Sequence, residues 1–229
     1  MALLGNAEGK FITLEGLDGC GKTTQTNLLA EMLRSHAIDV TVTREPGGSA
    51  LGEAIRGLLL DSATRNLSPR AELAMMFAAR AQHIQEVILP ALKAGRWVLC
   101  DRFTDSSEAY QGGGRELGTD TAMQLHRTIC GGLHPEMTIL LDADISISLS
   151  RARSRADSNP APGTRDEARF EKESQEFFTR VRSSYLAIAR REPDRVVLID
   201  ARRPVEAIHD DIAVAVKKRF FTVPRAAAA

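Results

Sequence analysis

Short apolar runs that end on turn, polar or acidic residues recur five times along the chain, at Phe11 to Glu15, Asp39 to Thr43, Trp97 to Asp101, Met137 to Asp142 and Val196 to Asp200. Near-continuous hydrophobicity over five or six residues is the pattern of a strand covered on both faces rather than one with a wet side. Between these runs the period changes. Leu28, Leu29, Met32 and Leu33 fall at helical spacing within Thr24 to Ser35, and longer amphipathic stretches occupy Ser68 to Lys93, Thr119 to Cys130, Ile145 to Ala156, Ala168 to Arg191 and Pro204 to Phe221. Strands alternating with helices predict an α/β fold: a doubly wound, five-stranded parallel sheet with helices on both faces. Ligands of such sheets gather at the carboxyl ends of the strands.

A chain of 229 residues accommodates this as one domain, 1–229, that buries about 70% of its unfolded surface. Thirty basic and thirty acidic residues cancel, so no global field recruits nucleic acid or a membrane surface, and any anion is bound locally. Cys20, Cys100 and Cys130 lack CxxC spacing, and Met1 to Gly9 is too polar for a secretory segment. Both features suit unpaired thiols in a reduced, cytoplasmic protein. No run of eighteen apolar residues is present to span a bilayer, and the five histidines share no metal-ligand spacing. Val223 to Ala229 reads as a frayed end.

Between the first strand and the first helix stands Gly16-Leu17-Asp18-Gly19-Cys20-Gly21-Lys22-Thr23, which fits the GxxxxGK[ST] phosphate-binding loop, the P-loop of nucleoside-triphosphate enzymes. Its glycines let consecutive N–H groups turn inward around phosphates, and the helix N-terminus adds partial positive charge. Lys22 is placed to reach the β and γ phosphates, and Thr23 to offer its hydroxyl to Mg²⁺. The ATP-binding segment expected on this basis runs from Gly16 through Thr24. A GTP-binding switch would carry an Asn-Lys-x-Asp motif, which is absent.

Three further segments bear on the acceptor. Thr43-Arg44-Glu45-Pro46-Gly47-Gly48 follows the second strand with Arg56 in the helix beyond, Asp101-Arg102 ends the third strand, and Tyr110-Gln111-Gly-Gly-Gly-Arg115 follows a polar stretch. Arginines 151, 153, 155, 165 and 169 surround Ser-Asn-Pro-Ala-Pro-Gly, a composition that breaks a helix and reads as a lid over residues 150–169.

Taken together, the loop with Asp18, the Arg-Glu-Pro-Gly-Gly turn, Asp101-Arg102-Phe103, Ser106-Ser107 and Tyr110-Gln111-Gly-Gly-Gly-Arg115 resemble the bacterial thymidylate kinases, nucleoside monophosphate kinases of the P-loop fold. The match runs from Phe11 to about Glu206. It implies γ-phosphoryl transfer from Mg²⁺–ATP to dTMP, giving dTDP and ADP in dTTP biosynthesis, by a homodimer. It further implies that Arg102, Arg56 and Arg44 hold the dTMP phosphate with Glu45 beside them, and that Asp18 accepts the sugar 3′-hydroxyl. Tyr110 would pack on the sugar; Arg80, Ser107 and Gln111 would read the thymine edge, with Ser106 alongside. Asp101 would lie near the metal and the reacting phosphates.

Three points stay open. The family puts phenylalanine four residues before the base-reading arginine, where this chain has Met76, with Phe77 three before; stacking favours Phe77 under the base, Met76 being the alternative. The loop carries Gly19 rather than arginine, which resembles the pattern with basic residues in the lid. An internal arginine finger is therefore expected from Arg153, Arg155 or Arg169, alongside Lys22, Asp101 and Arg102 as catalytic groups. Cys20 reads as a small residue at a variable loop position, with redox control as the alternative.

Overall fold

The strands line up in the order β2-β3-β1-β4-β5, all parallel. The computed structural model describes residues 9–61, 66–158, 170 and 173–221, with the backbone alone at 152–153 and 155–158; the frayed end expected from Val223 lies outside them. In chain order the elements are β1 (Phe11–Glu15), α1 (Lys22–Ser35), β2 (Val40–Arg44), α2 (Ala50–Leu60), α3 (Pro69–His83), α4 (Leu89–Lys93), β3 (Trp97–Asp101), α5 (Thr104–Ser107), α6 (Thr119–Cys130), β4 (Met137–Asp142), α7 (Ile145–Ser158), α8 (Gln175–Arg191), β5 (Val196–Asp200) and α9 (Val205–Phe220).

Alternation along the strands sorts the core into two faces. Ile12 and Leu14 of β1, Leu99 of β3 and Ile139 and Leu141 of β4 pack with Leu29 and Leu33 of α1 and Ile208, Ile212 and Val216 of α9. Phe11, Val98 and Cys100 turn to the opposite face, against Leu73 and Phe77 of α3 and Ile88. Leu140 and Val196 meet Phe178, Val181 and Ile188 of α8 on a further cluster. Helices thus cover both faces, as the unbroken hydrophobic runs predict.

Several boundaries differ from the sequence reading: α8 begins at Gln175 rather than Ala168, capped by the Ser174 side chain, and α7 continues to Ser158, into the segment 150–169 read as a helix-breaking lid. β2 starts one residue later than Asp39, because its ladder with β3 pairs Val40 with Trp97 and closes at Arg44 with Asp101. α1 starts at Lys22 rather than Thr24, since Gly21 at φ 102° supplies the left-handed N-cap. The expected helix Ser68 to Lys93 is α3, a π turn over Ile84–Ile88 and α4 in succession. Pro90 has no N–H to donate, and the wider π turn just before it lets the helix pass without a break.

β1 and β3 run side by side, Leu14 opposite Asp101, so the loops that leave their carboxyl ends face one another. That juxtaposition positions the site.

Candidate active site

A cleft at this sheet edge is lined by Asp18, Gly19, Gly21, Lys22, Thr23, Arg44, Glu45, Arg56, Asp101 and Arg102. Four of these are cations and three are carboxylates, and the cations come from both sides. On one side is the loop between β1 and α1. Gly16, at φ 133°, is a position where a Cβ would fall 2.4 Å from the Leu141 carbonyl oxygen, so only glycine fits. Leu17 and Cys20 are buried and turn away from the cleft. Lys22 Nζ donates to the carbonyl oxygens of Gly16 at 3.1 Å and Leu17 at 2.8 Å. No side chain caps α1 and no acidic residue occupies its first turn, which leaves the positive end of the helix directed at an anion. Thr24 is exposed in that first turn.

Thr23 Oγ1 donates to Asp101 Oδ2 at 3.0 Å. Two hard oxygen groups from different elements therefore meet on the wall, a donor set whose chemistry fits Mg²⁺. Among the described residues no cluster of three or more His, Cys, Asp or Glu could hold a metal.

On the other side stands Arg102, a non-glycine residue at φ 73°. Its Nη2 donates to Asp18 Oδ1 at 2.8 Å and to Tyr110 Oη at 3.1 Å, and its Cζ lies 4.9 Å from the centre of the Tyr110 ring. Tyr110 Oη donates to Asp18 Oδ2 at 3.1 Å. Burial would raise the Asp18 carboxyl, but the Arg102 guanidinium and the Lys22 ammonium outweigh it and hold Asp18 well below the usual carboxylate range. Asp18 is thus joined with Arg102 and Tyr110, 84 and 92 positions further along the chain, in one hydrogen-bonded unit. Arg44 donates from Nη2 to both oxygens of Glu53, and Arg56 Nη1 donates to the Pro46 carbonyl oxygen at 3.2 Å.

Behind this wall lies a buried arm. Arg80 on α3 donates from Nε to Glu45 Oε2 at 2.6 Å and from Nη2 to the Phe103 carbonyl oxygen and Ser107 Oγ, both at 3.0 Å. Its Nη1 is buried without a hydrogen-bond partner among the described residues, which is costly unless a ligand supplies an acceptor. Glu45 is held in turn by His83 Nδ1 at 2.9 Å, and His83 Nε2 stands 2.7 Å from Thr43 Oγ1. Gln111 Nε2 donates to Glu72 Oε1 at 2.9 Å, and Arg115 pairs with the same carboxylate.

Phe77, expected under the base, has its ring wholly buried in the core, with the Arg80 guanidinium 4.8 Å from the ring centre. Met76 is half-buried and packs on the cluster that contains Leu17 and Tyr110. Of the lid arginines, Arg153 and Arg155 lie along α7, where only the backbone is described; Arg169 lies outside the described residues. Ser106 points beneath Arg102 to Glu15.

Sequence reasoning passed over Glu15, Tyr185, His83 and Glu72. Glu15 was visible only as the polar end of an apolar run. Tyr185, one of two tyrosines in the chain, sits at helical spacing with Phe178, Val181 and Ile188, which hides a hydroxyl bonded to Glu15 and Arg102 inside an ordinary core pattern.

A family model described as thymidylate kinase matches residues 14–212. The chain is 48% identical over 208 residues to the thymidylate kinase of Pelobacter propionicus, covering 91% of this chain and 94% of that one. It is 47% identical over 204 residues to that of Pseudomonas putida, covering 89% and 93%. The crystal structure of thymidylate kinase from Ehrlichia chaffeensis superposes with a TM-score of 0.72 at 32% identity, covering 91% of this chain and 98% of that one. With the P-loop, the arginine-lined acceptor wall and the parallel sheet all in place, the chain belongs to the thymidylate kinase family.

Proposed function

We propose that the chain transfers the γ-phosphoryl group of ATP to dTMP, forming dTDP and ADP. The observation that carries the reading is the two-sided cleft: a phosphate loop faces Arg44, Arg56 and Arg102 across it, so two anionic substrates can be brought end to end. Phosphoryl transfer needs little covalent help from the protein. It needs in-line positioning and neutralisation of the transferred charge.

Lys22 and the loop N–H groups bind the triphosphate, while Arg102, with Arg56 and Arg44, holds the acceptor phosphate through planar, paired donors. Asp18, kept ionised by Arg102 and Lys22, is a strong acceptor for the sugar 3′-hydroxyl. Tyr110, fixed to Asp18 and Arg102, packs at the 2′ position. Arg80 offers its unpartnered Nη1 to a carbonyl oxygen of the base, steadied by Glu45 and Ser107, with Gln111 beside it. Met76, rather than Phe77, packs on the base through its polarizable sulfur. Thr23 and Asp101 would hold Mg²⁺, which would supply positive charge to offset that of the phosphates. A lid arginine, Arg153, Arg155 or Arg169, completes the neutralisation. A single domain acting as a homodimer in the cytoplasm is the accompanying expectation.

The test is the initial rate of ADP formation from Mg²⁺–ATP with dTMP, dUMP, UMP, CMP, AMP and shikimate as separate acceptors. Strong preference for dTMP supports the base and sugar assignments together. Activity confined to another acceptor would overturn the roles given to Arg80, Met76 and Tyr110 while keeping the donor side.

A further inference from the structure

Arg102 holds its position from a left-handed backbone conformation that non-glycine residues avoid, so the surroundings must impose it. The groups that do so lie beneath it, off the cleft wall. The Arg102 N–H donates to the Leu14 carbonyl oxygen at 3.0 Å. The next N–H, that of Phe103, donates to Glu15 Oε1 at 2.7 Å. The left-handed residue is therefore pinned on both sides by β1.

The second oxygen of the same carboxylate organises the side chain. Glu15 is wholly buried, and its Oε2 accepts from Ser106 Oγ at 2.6 Å and from Tyr185 Oη at 2.9 Å, while those two hydroxyls stand 2.8 Å apart. With both hydroxyl protons directed at Glu15, the hydroxyl oxygens turn lone pairs towards Arg102. Its Nη1 donates to Ser106 at 3.1 Å and to Tyr185 at 3.2 Å. Carboxylate, hydroxyls and guanidinium thus form one polarised chain, which a buried site strengthens.

We propose that Glu15 and Tyr185 are positioning residues: they fix the Arg102 guanidinium so that its Nη2 edge, shared with Asp18 and Tyr110, meets the acceptor phosphate. Neither residue lines the cleft, and the inference rests on the reading of Arg102 as the residue that holds that phosphate. The competing role for Tyr185 is simple packing, because its ring lies among Phe178, Val181 and Ile188. Tyr185→Phe keeps that packing and deletes only the oxygen, which separates the two roles.

The experiment is steady-state kinetics of the full chain and its Tyr185→Phe, Glu15→Gln and Arg102→Lys variants, each with dTMP varied at saturating ATP and the reverse. Tyr185→Phe is expected to lower kcat/KM for dTMP about tenfold or more, with KM for ATP within twofold of the parent. Glu15→Gln should show the same selective loss, because its NH₂ opposes two hydroxyl donors. A Tyr185→Phe enzyme with kcat/KM for dTMP within twofold of the parent, or with equal losses against both substrates, overturns the proposal. The Tyr185 variant decides the matter even where Glu15→Gln does not fold. Unchanged KM for dTMP in Arg102→Lys would overturn the phosphate-holding reading itself, a separate result from the Tyr185 outcome.

Discussion

The donor side of the cleft is nine consecutive residues, Gly16 to Thr24, between one strand and one helix, and it works largely through main-chain N–H groups. The acceptor side takes Arg44 from β2, Glu45 from the turn beyond, Arg56 from α2, Arg80 from α3 and Arg102 from the end of β3. Tyr185 of α8 reaches Glu15 across 170 positions of sequence. One side is a local device built within a single loop, where backbone N–H groups act beside the side chains of Asp18, Lys22 and Thr23. The other is a web of charged side chains, each positioned by another. The two should therefore respond to substitution in different ways.

The largest effect is expected where the local device does depend on a side chain. Lys22 is the one cation of the phosphate loop, and Lys22→Ala should lower kcat by about 10²–10³, the scale of removing one preorganised charge-stabilising donor. Circular dichroism should show the fold retained, because among the described residues the Lys22 side chain donates only to loop carbonyl oxygens and weakly to Cys20. A loss below tenfold in a folded variant would mean that the acceptor-side arginines carry the transferred charge alone.

This contrast also explains what the sequence made legible. The phosphate loop, the five strands and the parallel order of events are readable because each is a local pattern of spacing or hydrophobic period. The arginine turn and the Asp101-Arg102 pair were readable as motifs, but their partners were not. Nothing near Glu45 in sequence announces that it holds Arg80 and His83. Gly113 and Gly114 belong to a motif, yet their physical reason is remote: a Cβ would fall 1.9 Å from Ser184 Oγ at Gly113 and 2.6 Å from the Phe177 ring at Gly114. Such close approach of α8 belongs to packing between elements, which no single-sequence period encodes. The choice between Met76 and Phe77 was illegible for the same reason. An aromatic at helical spacing is compatible with core and with cleft, and only the packing of α3 against β3 and α6 decides.

On the web side, Arg80→Lys keeps the charge and loses the planar fork. One ammonium cannot serve Glu45, Phe103 and Ser107 together and still present an atom to the base. KM for dTMP should rise about 10–100-fold while KM for ATP stays within twofold, as read by the same two-substrate kinetics. Equal changes in both constants would show that the two sides are coupled rather than separately built.

A smaller effect tests the buried root of the web. Burial, reinforced by the charge of Asp105, pushes the Glu15 carboxyl up to about 7 from its ordinary 4.5, against the pull of Arg102, Ser106 and the Phe103 N–H. Between those values the folded chain keeps a proton on Glu15 that the unfolded chain has released. The stability from this group is therefore full below about pH 4.5 and is lost as pH rises to about 7, by up to ~1.4 kcal/mol per pH unit. Glutamine does not titrate. The melting temperature of Glu15→Gln minus that of the parent should accordingly become more positive between about pH 5 and pH 8, by about 2–4 °C for each kcal/mol. A difference that stays flat across this range would show that Glu15 is ionised throughout.

The smallest effect is expected inside the phosphate loop itself. Cys20 sits in the middle of the motif, beside the positive end of α1, where a thiol is often activated. Here it is buried in the cluster formed by Ile12, Leu14 and Ala143, and burial pushes its thiol up in spite of Lys22 and Arg102 nearby. The loop at this position uses the backbone, and the side chain serves only to fill space beneath Gly16. Cys20→Ala should keep kcat/KM for both substrates within threefold, and iodoacetamide should modify Cys20 only after denaturation. Rapid alkylation of the native enzyme with loss of activity would make Cys20 a reactive group after all. A loss beyond tenfold in the alanine variant would extend side-chain dependence to the donor side, and the division between a backbone device and a side-chain web would fail where it is drawn most sharply.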